Sequence, residues 1–276
     1  MSDAVRKTWD EIARHWHLWG PPLRPAPEDL RIMRDAVTRW FAEEPADVVR
    51  LFLCGVTPEI ATLSWPFRTH LRAVEQSEGM VRLVWPGDVP GLREAVVGDW
   101  LRPGTEDHSR DVALADGSFS FFDYPHGQRA LAAVLRRVLR PRGLLAVRLY
   151  AQAPRRESVA DVLAAARAGR VENFHAYKWR LSMALQADSR TGVRLHDVWQ
   201  ACTVARVETA GLPQPGWSPE AVGTIRFYEE REGRHYFPTL EEYVGLLSEA
   251  FERIEVRIPH YELGERCPIV TARARS

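Results

Sequence analysis

The chain has 276 residues, which suffices for one large domain or for a domain with a cap, and for a sizeable buried core. Its 37 Lys and Arg residues balance 37 Asp and Glu residues, so the composition argues against the basic field of a dedicated nucleic-acid-binding protein. Cys54, Cys202 and Cys267 are widely spaced, a pattern that predicts neither a disulfide framework nor a zinc site.

The first part of the chain predicts two amphipathic helices. Apolar side chains recur at helical spacing over residues 3–19 and again in EDLRIMRDAVTRWFAE, with the proline-rich GPPLRPAP between them. The charges in the first segment argue against a signal peptide, and no apolar run approaches the roughly 20 residues of a membrane helix. We therefore expect a cytoplasmic protein without a membrane partner, whose residues 1–44 form an N-terminal helical cap.

Short apolar runs alternate with helical segments from residue 48 onwards. The predicted strands are VVRLFLC, HLRAVE, REAVVGDW, GSFSFFDY and GLLAVRLY, and the helices between them include SEGMVRLVW and GQRALAAVLRRVLRPRG, the latter stopped by Pro141 and Gly143. Strands that alternate with helices in this way predict a parallel sheet with right-handed crossovers. Residues 45–150 are therefore expected to form the core of a ligand-binding α/β fold.

Beyond residue 150 the alternation stops. Residues 151–235 are expected to form a mostly helical insertion or lid, with SVADVLAAARAG and NFHAYKWRLSMALQADS as the clearest helices. Residues 236–276 begin with a helix in YFPTLEEYVGLLSEAF and end with two β-like runs about YELGERCP. This last part predicts a helix and an antiparallel hairpin that complete the core sheet.

The turn after the first predicted strand contains a single glycine, Gly55. Dinucleotide-binding enzymes place several glycines there, because the backbone must close on a pyrophosphate at a helix N-terminus, whereas a ligand without phosphate relaxes that demand. Glu75 ends the next strand, where a carboxylate can accept hydrogen bonds from both ribose hydroxyls, and Asp99 and Trp100 follow the third, where they could flank an adenine. Taken alone, Gly55 could be a plain tight turn; together the three strand ends favour a nucleoside-like cofactor.

Five segments resemble motifs of the class I S-adenosylmethionine (SAM)-dependent methyltransferases: LFLCGVTPE, AVEQSEGM, VVGDW, LADGSFSFFDYPHG and VLRRVLRPRGLLAVRLY. The resemblance covers roughly residues 45–150 and 236–275, and the terminal hairpin is the family's mark against NAD-binding Rossmann folds. The family's usual first motif would place an acid near Leu51 and glycines at Leu53 and Thr57, which this chain lacks. The sequence is therefore interpreted as a subtype with a GVTPE version of that motif.

This resemblance implies an α/β fold with a doubly wound, mostly parallel seven-stranded sheet, a C-terminal antiparallel hairpin and a helical cap. It also implies that SAM is the cofactor and S-adenosylhomocysteine (SAH) the product. The cofactor-binding residues it suggests are Gly55, Val56, Thr57, Glu75, Gln76, Met80, Gly98, Asp99 and Trp100.

Methyl transfer from a sulfonium is an in-line displacement that mainly requires an acceptor held on axis with water excluded, and a general base is optional. The segment FFDYPHG is expected to face the methyl group, so Asp123, Tyr124 and His126 are the catalytic candidates, although Tyr124 could merely pack and His126 could be a solvated helix start. The candidates for binding the acceptor are His15, Trp16, Trp19 and Tyr177, with His175 and Arg180 as further lid residues.

The function predicted from the sequence is methyl transfer to a small-molecule acceptor, with no nucleic-acid partner. One alternative is a catalytically silent methyltransferase-like module that binds SAM or a partner, favoured by the reduced glycine motif. Another is an NAD(P)-dependent oxidoreductase, disfavoured by the missing GxGxxG. No sequence pattern specifies the acceptor, the atom methylated or the oligomeric state.

Overall fold

The computed structural model describes residues 3–205 and 216–275, with the backbone alone for residues 3–8. The α-helices are α1 Asp3–Arg14, α2 Pro27–Glu43, α3 Pro58–Ala61, α4 Glu78–Leu83, α5 His126–Val138, α6 Val159–Arg167, α7 Phe174–Leu185, α8 Leu195–Val204, α9 Pro219–Gly223 and α10 Leu240–Ser248. The strands are β1 Val49–Cys54, β2 Thr69–Glu75, β3 Arg93–Val97, β4 Arg110–Asp116, β5 Leu139–Arg148, β6 Val193–Arg194, β7 Arg234–His235, β8 Phe251–Arg257 and β9 Ile269–Ala274.

Seven strands form the main sheet, in the order β3-β2-β1-β4-β5-β9-β8. Strands β1 to β5 pair in parallel, whereas β9 pairs antiparallel with both β5 and β8. The strand order reverses between β1 and β4, and open parallel sheets bind their ligands at the carboxyl ends of the strands beside such a reversal. The predicted fold class, including the antiparallel C-terminal pair, is confirmed.

The two faces of the sheet are covered by different helices because side chains alternate along each strand. On one face, Leu51 and Leu53 of β1 belong to a buried cluster with Met33, Val37 and Trp40 of α2. On the other face, the same strand contributes to a cluster with α5 and α10 through Phe52 and Cys54. A strand buried on both sides reads as a continuous apolar run, which is why VVRLFLC was recognisable.

The predicted fourth strand, GSFSFFDY, was wrong. The strand is the preceding segment RDVALAD, and Ser118–Phe121 forms a 3₁₀ helix after it. Gly117 adopts a φ of +65° and ends β4, and the Ser120 hydroxyl donates to the Gly117 carbonyl oxygen at 2.7 Å. The helix that follows, α5, also ends before Pro141, because the chain has already entered β5 at Leu139.

Residues 151–205 and 216–235 contribute to a separate apolar core. Helices α6 to α9 and the short antiparallel pair β6–β7 surround it, and the pair is an addition to the helices expected from the sequence. Trp19 from the N-terminal segment is buried in the same cluster as Phe174, Tyr177 and Trp179 of α7. The N-terminal cap and the lid therefore share one core. No helix within residues 3–205 and 216–275 has the length and apolar character needed to cross a membrane.

Candidate functional site

Gly55 lies at the carboxyl end of β1, where the backbone turns toward α3. Its φ of +95° belongs to the left-handed region that favours glycine, and its N–H donates to the Val74 carbonyl oxygen at 2.8 Å. A Cβ at this position would lie 3.7 Å from Glu75 Oε2 and 3.8 Å from Trp100 Cζ2. The turn thus brings together the ends of β1 and β2 and the loop after β3, as the sequence predicted for these three positions.

Glu75 is a buried acid beside this turn. Its side chain is 7% exposed, and Oε1 accepts a hydrogen bond from the Ser77 N–H at 2.9 Å. Burial raises the pKa of the Glu75 carboxyl to about 7, against the opposing effect of the Ser77 and Gln76 backbones. The second carboxyl oxygen faces Gly55, so it is placed to accept hydrogen bonds from a ligand at the turn.

The loop after β3 covers the same strand ends. Trp100 Nε1 donates to the Val74 carbonyl oxygen at 2.7 Å, which fixes the indole across the end of β2. The Gly98 N–H donates to the Glu75 carbonyl oxygen at 2.8 Å. Asp99 is exposed, and its Oδ1 accepts from Gln76 Nε2 at 3.2 Å. The predicted cofactor residues of β2 and β3 are therefore linked to one another directly.

Helix α4 carries Met80 beside the site and is held in place by α1. Ser77 Oγ caps the helix by accepting from the Met80 N–H at 3.0 Å, as expected from its position before the helix. Asp10 Oδ1 accepts from Ser77 Oγ at 2.6 Å and from the Gly79 N–H at 2.9 Å. A Cβ on Gly79 would lie 2.9 Å from Asp10 Cα, so glycine permits this close approach. Sequence reasoning missed Asp10, since its partners lie in a distant segment.

The GVTPE segment is joined to the cap through its acid. Val56 is buried and Thr57 is half-buried immediately before α3. Glu59 Oε1 accepts from Arg24 Nε at 2.6 Å, and the Arg24 guanidinium lies 5.3 Å from the centre of the Trp16 ring. The acid of this motif variant therefore ties the N-terminal segment to α3, which follows the Gly55 turn. This places Trp16 at the cap–turn contact.

An aromatic group from the segment after β4 completes the site. The Phe121 ring centroid lies 5.2 Å from that of Trp9, 5.3 Å from that of His235 and 6.2 Å from that of Trp100. Phe121 thus connects the cap, the lid and the loop after β3. Phe121 belongs to the segment FFDYPHG that was expected to face the methyl group, but it was not among the predicted site residues because only groups able to orient or deprotonate an acceptor were chosen there.

The predicted catalytic residues follow Phe121 at the start of α5. Asp123 and His126 are exposed, and Tyr124 is half-buried. Burial raises the pKa of Tyr124, with smaller effects from Glu242 and Arg129, which places this ring among charges of α10 and α5. Their catalytic role stays a prediction, and the structure adds Phe121, which contacts Trp100, and His235, which contacts Phe121.

The cap and the lid meet through the other predicted residues. His15 lies 5.3 Å from Phe227 between ring centroids, and Trp19 stacks on His175 at 5.8 Å. Tyr177 is fully buried and packs 4.9 Å from Trp217, again between centroids. Arg180 lies at the rim of the lid, where it pairs with Glu157. The structure therefore brings His15, Trp19 and His175 together, but Tyr177 faces a different neighbour.

Neither a protein-family model nor a curated protein matches this sequence. Solved structures do match. A putative Zn-dependent alcohol dehydrogenase from Rhodobacter sphaeroides is 11% identical over 100% of both chains, with a TM-score of 0.60. The N-methyltransferase NodS from Bradyrhizobium japonicum, solved with SAH, is 12% identical over 98% of this chain and 99% of its own, with a TM-score of 0.51. The CurJ carbon methyltransferase is 12% identical, with a TM-score of 0.53, and the match covers 90% of this chain and 54% of CurJ.

At these identities the comparisons show the fold alone. Within the described residues, no group of three or more His, Cys, Asp and Glu side chains is arranged to hold a metal ion. The seven-stranded, mostly parallel sheet and its antiparallel terminal strands are those predicted from the methyltransferase motifs, and two of the similar structures are methyltransferases. The chain therefore has the Rossmann-like fold of the class I SAM-dependent methyltransferases.

Proposed function

We propose that this protein is a SAM-dependent methyltransferase that acts on a small-molecule acceptor. The observation that carries the proposal is the buried Glu75 carboxyl facing Gly55 at the strand-order reversal. The turn offers a ribose acceptor without the glycines that a pyrophosphate requires. The antiparallel pair of β8 and β9 at the end of the sheet supports this assignment over a dinucleotide enzyme.

The residues around the turn fit the chemistry of SAM, a nucleoside with a methylated sulfonium that supplies the methyl group. Glu75 Oε2 accepts hydrogen bonds from ribose hydroxyls, and the absence of a side chain on Gly55 leaves that oxygen accessible. Trp100 and Met80 provide the apolar surfaces for an adenine. Trp9 and Phe121 exclude water where the cap meets the segment after β4, which favours an oriented acceptor.

The second candidate function is a silent module that binds SAM or a partner without turnover. One observation favours it: the Trp100 indole, anchored to the Val74 carbonyl oxygen, lies against Gly55 and covers the turn. A ligand of the turn must share that space with the indole. Catalysis in this second case would be absent although the fold is retained.

Calorimetric titration with SAM and SAH tests the proposal. We expect micromolar binding to the unmodified protein and at least a tenfold loss in Glu75→Ala, because hydrogen bonds to a charged group contribute about 1.5–3 kcal/mol. Glu78→Ala is the matched control, since Glu78 is an exposed acid at the start of α4, and its binding should be unchanged.

The outcomes separate the candidates. Binding of both ligands, together with SAH release when acceptors are supplied, supports the enzyme. Binding without SAH release from any acceptor supports the silent module. If neither ligand binds, or if Glu78→Ala loses binding as fully as Glu75→Ala, the cofactor site is not at Gly55.

A further inference from the structure

Lys178 is an unusual residue at the centre of the lid core. The sequence contains 37 Lys and Arg residues, of which Lys7 and Lys178 are the two lysines. Lys178 lies in α7 with 0% exposure, and its Nζ is 4.0 Å from the centre of the Trp19 ring and 4.9 Å from that of Tyr228. Lysine, unlike arginine, can exist there as a neutral amine that gains a proton when an anion binds.

No carboxylate of the described residues is paired with this amine. None of the ion pairs among the described residues includes Lys178, and its hydrogen bond to Thr224 Oγ1 is 3.2 Å long. Burial lowers the pKa of Lys178 well below its usual value, and the Cys202 thiol has a smaller opposite effect. Burial, and secondly the nearby Lys178, also lowers the pKa of His175 and of His235 to about 3. An anion beside Nζ would oppose this effect of burial, because a buried ammonium requires a charged partner.

Ring nitrogens in the same buried region as Lys178 lack hydrogen-bond partners. Trp19 Nε1, Trp179 Nε1, His175 Nδ1 and His235 Nδ1 are buried without a hydrogen-bond partner within residues 3–205 and 216–275. His175 Nε2 lies 3.0 Å from the Leu18 carbonyl oxygen, which can only accept, so Nδ1 of this neutral ring is a free acceptor. Buried polar atoms are rarely left without partners, and these four belong to residues that contact Lys178 or one another, which indicates a polar ligand.

Contacts between aromatic rings connect these residues to the turn at Gly55. The His235 ring centroid lies 5.0 Å from that of Trp179 and 5.3 Å from that of Phe121. Phe121 in turn contacts Trp100, which covers Gly55. On the other side, His235 lies 6.3 Å between centroids from Tyr228, the ring that Lys178 Nζ approaches, so ring contacts link the Gly55 turn to the Lys178 amine.

We propose that Lys178 binds the carboxylate of the acceptor, and that the acceptor is an aromatic acid with a hydroxyl group. The carboxylate pairs with Lys178 Nζ and accepts from an unpartnered indole N–H, the ring packs among the Trp19 and Trp179 rings, and the hydroxyl donates to His235 Nδ1 beside Phe121. The identification of the ligand as the acceptor and the placement of its hydroxyl at the methyl-transfer end rest on the proposed function. The anion site stands on the lid residues alone.

Binding of paired acids and amides tests the anion site. The full chain is titrated calorimetrically with para-hydroxybenzoate and para-hydroxyphenylpropionate and with the uncharged amide of each, with and without SAH. We expect at least one acid to bind about tenfold more tightly than its amide, and the difference to vanish in Lys178→Met. Trp19→Phe keeps an aromatic ring beside Lys178 but removes the indole N–H, so it should weaken acid binding several-fold, and it serves if Lys178→Met does not fold.

The protonation of Lys178 provides a second readout that does not depend on activity. Because the chain has two lysines, selective isotope labelling of lysine gives two NMR signals, and Lys178→Met identifies one of them. In the free protein we expect the Lys178 signal to be that of a neutral amine. Once the acid binds, we expect it to be that of an ammonium. An unchanged signal on acid binding, equal affinity of every acid and amide, or full acid binding by both variants would overturn the anion site.

Failure of this proposal differs from failure of the methyltransferase proposal. Glu75→Ala should lose SAH binding and keep the preference for the acid. SAH binding without acid preference removes the anion site only, and acid preference without SAH binding removes the cofactor site only.

Discussion

The proposed role of Glu75 in binding a ligand lowers the free energy of unfolding of the free protein. Its carboxyl is buried, and burial raises its pKa from 4.5 to about 7. In the proposed function this acid must be ionised to accept two ribose hydroxyls strongly, so the folded protein carries a group that would be more stable in water. The same burial that makes the group a good acceptor for a ligand thus lowers stability without one.

This linkage makes stability depend on pH. Below pH 4.5 the carboxyl is protonated in both states; as the pH rises toward 7 the unfolded chain releases the proton first, so the free energy of unfolding falls. Glu75→Gln removes this effect, and we expect it to be more stable than the unmodified protein by up to about 3 kcal/mol at about pH 8 and nearly equal at about pH 4. Urea unfolding at the two pH values measures the difference. A difference that does not change with pH would contradict the burial argument.

At the scale of elements, Gly117 decides where β4 ends. It has a φ of +65°, and a Cβ there would lie 2.4 Å from Tyr150 Cε2. Gly104 has a similar φ of +60° but nothing within 4 Å of its Cβ position. The two glycines therefore share a backbone conformation and differ in packing.

We expect Gly117→Ala to cost about 2–4 kcal/mol of unfolding free energy, as the sum of left-handed strain and overpacking, and Gly104→Ala only about 1 kcal/mol. Chemical unfolding of both variants gives the comparison. Equal losses would mean that the contact with Tyr150 relaxes freely and that Gly117 acts through its φ alone.

The same segment explains how far sequence reasoning reached. β1, β2 and β5 were predictable because they are apolar runs in a parallel sheet, and their ends located Gly55 and Glu75. GSFSFFDY alternates like a strand, but the conformation of Gly117 and the hydroxyl of Ser120 turn it into a 3₁₀ helix, so turn chemistry outweighed β-propensity.

Several contacts of the candidate site join segments that are far apart in the sequence, and no local pattern encodes them. Asp10 meets the Gly79 N–H, and Phe121 meets His235, only because the cap and the lid close over the sheet. The sequence named His15, Trp16 and Trp19 as candidates, yet the partners of those rings follow from tertiary packing. Lys178 carried a sequence signal in its rarity among many arginines, but its burial could not be predicted.

At the scale of the whole molecule, Arg148 joins the sheet to the cap and to the C-terminal segment. It is fully buried at the end of β5; Nε donates to Asp116 Oδ1 at 2.6 Å, and Nη1 lies 3.5 Å from Asp29 Oδ2 of α2. Nη1 also donates to the Pro22 carbonyl oxygen at 2.8 Å and to the Tyr261 hydroxyl at 3.3 Å. Burial opposes the guanidinium charge, but Asp116 together with Tyr150, Tyr261 and Cys267 outweighs it, so the pKa of Arg148 is well above its usual value.

Arg148→Met should destabilise the protein by about 3–5 kcal/mol, because it leaves the Asp116 and Asp29 carboxylates buried without their cation. Burial already raises the pKa of Asp29 against the opposing charge of Arg148. Without that charge the pKa of Asp29 rises further, the folded state retains a proton that the unfolded chain releases, and the deficit should grow between about pH 4 and about pH 7. Unfolding free energies across this range are compared with those of Arg129→Met, whose partner Glu249 is 48% exposed and whose loss should change little. The loss of unfolding free energy in Arg148→Met could instead be as small as in Arg129→Met, or it could shrink as the pH rises. Either result would show that apolar packing, and not this charge network, holds the cap and the sheet together.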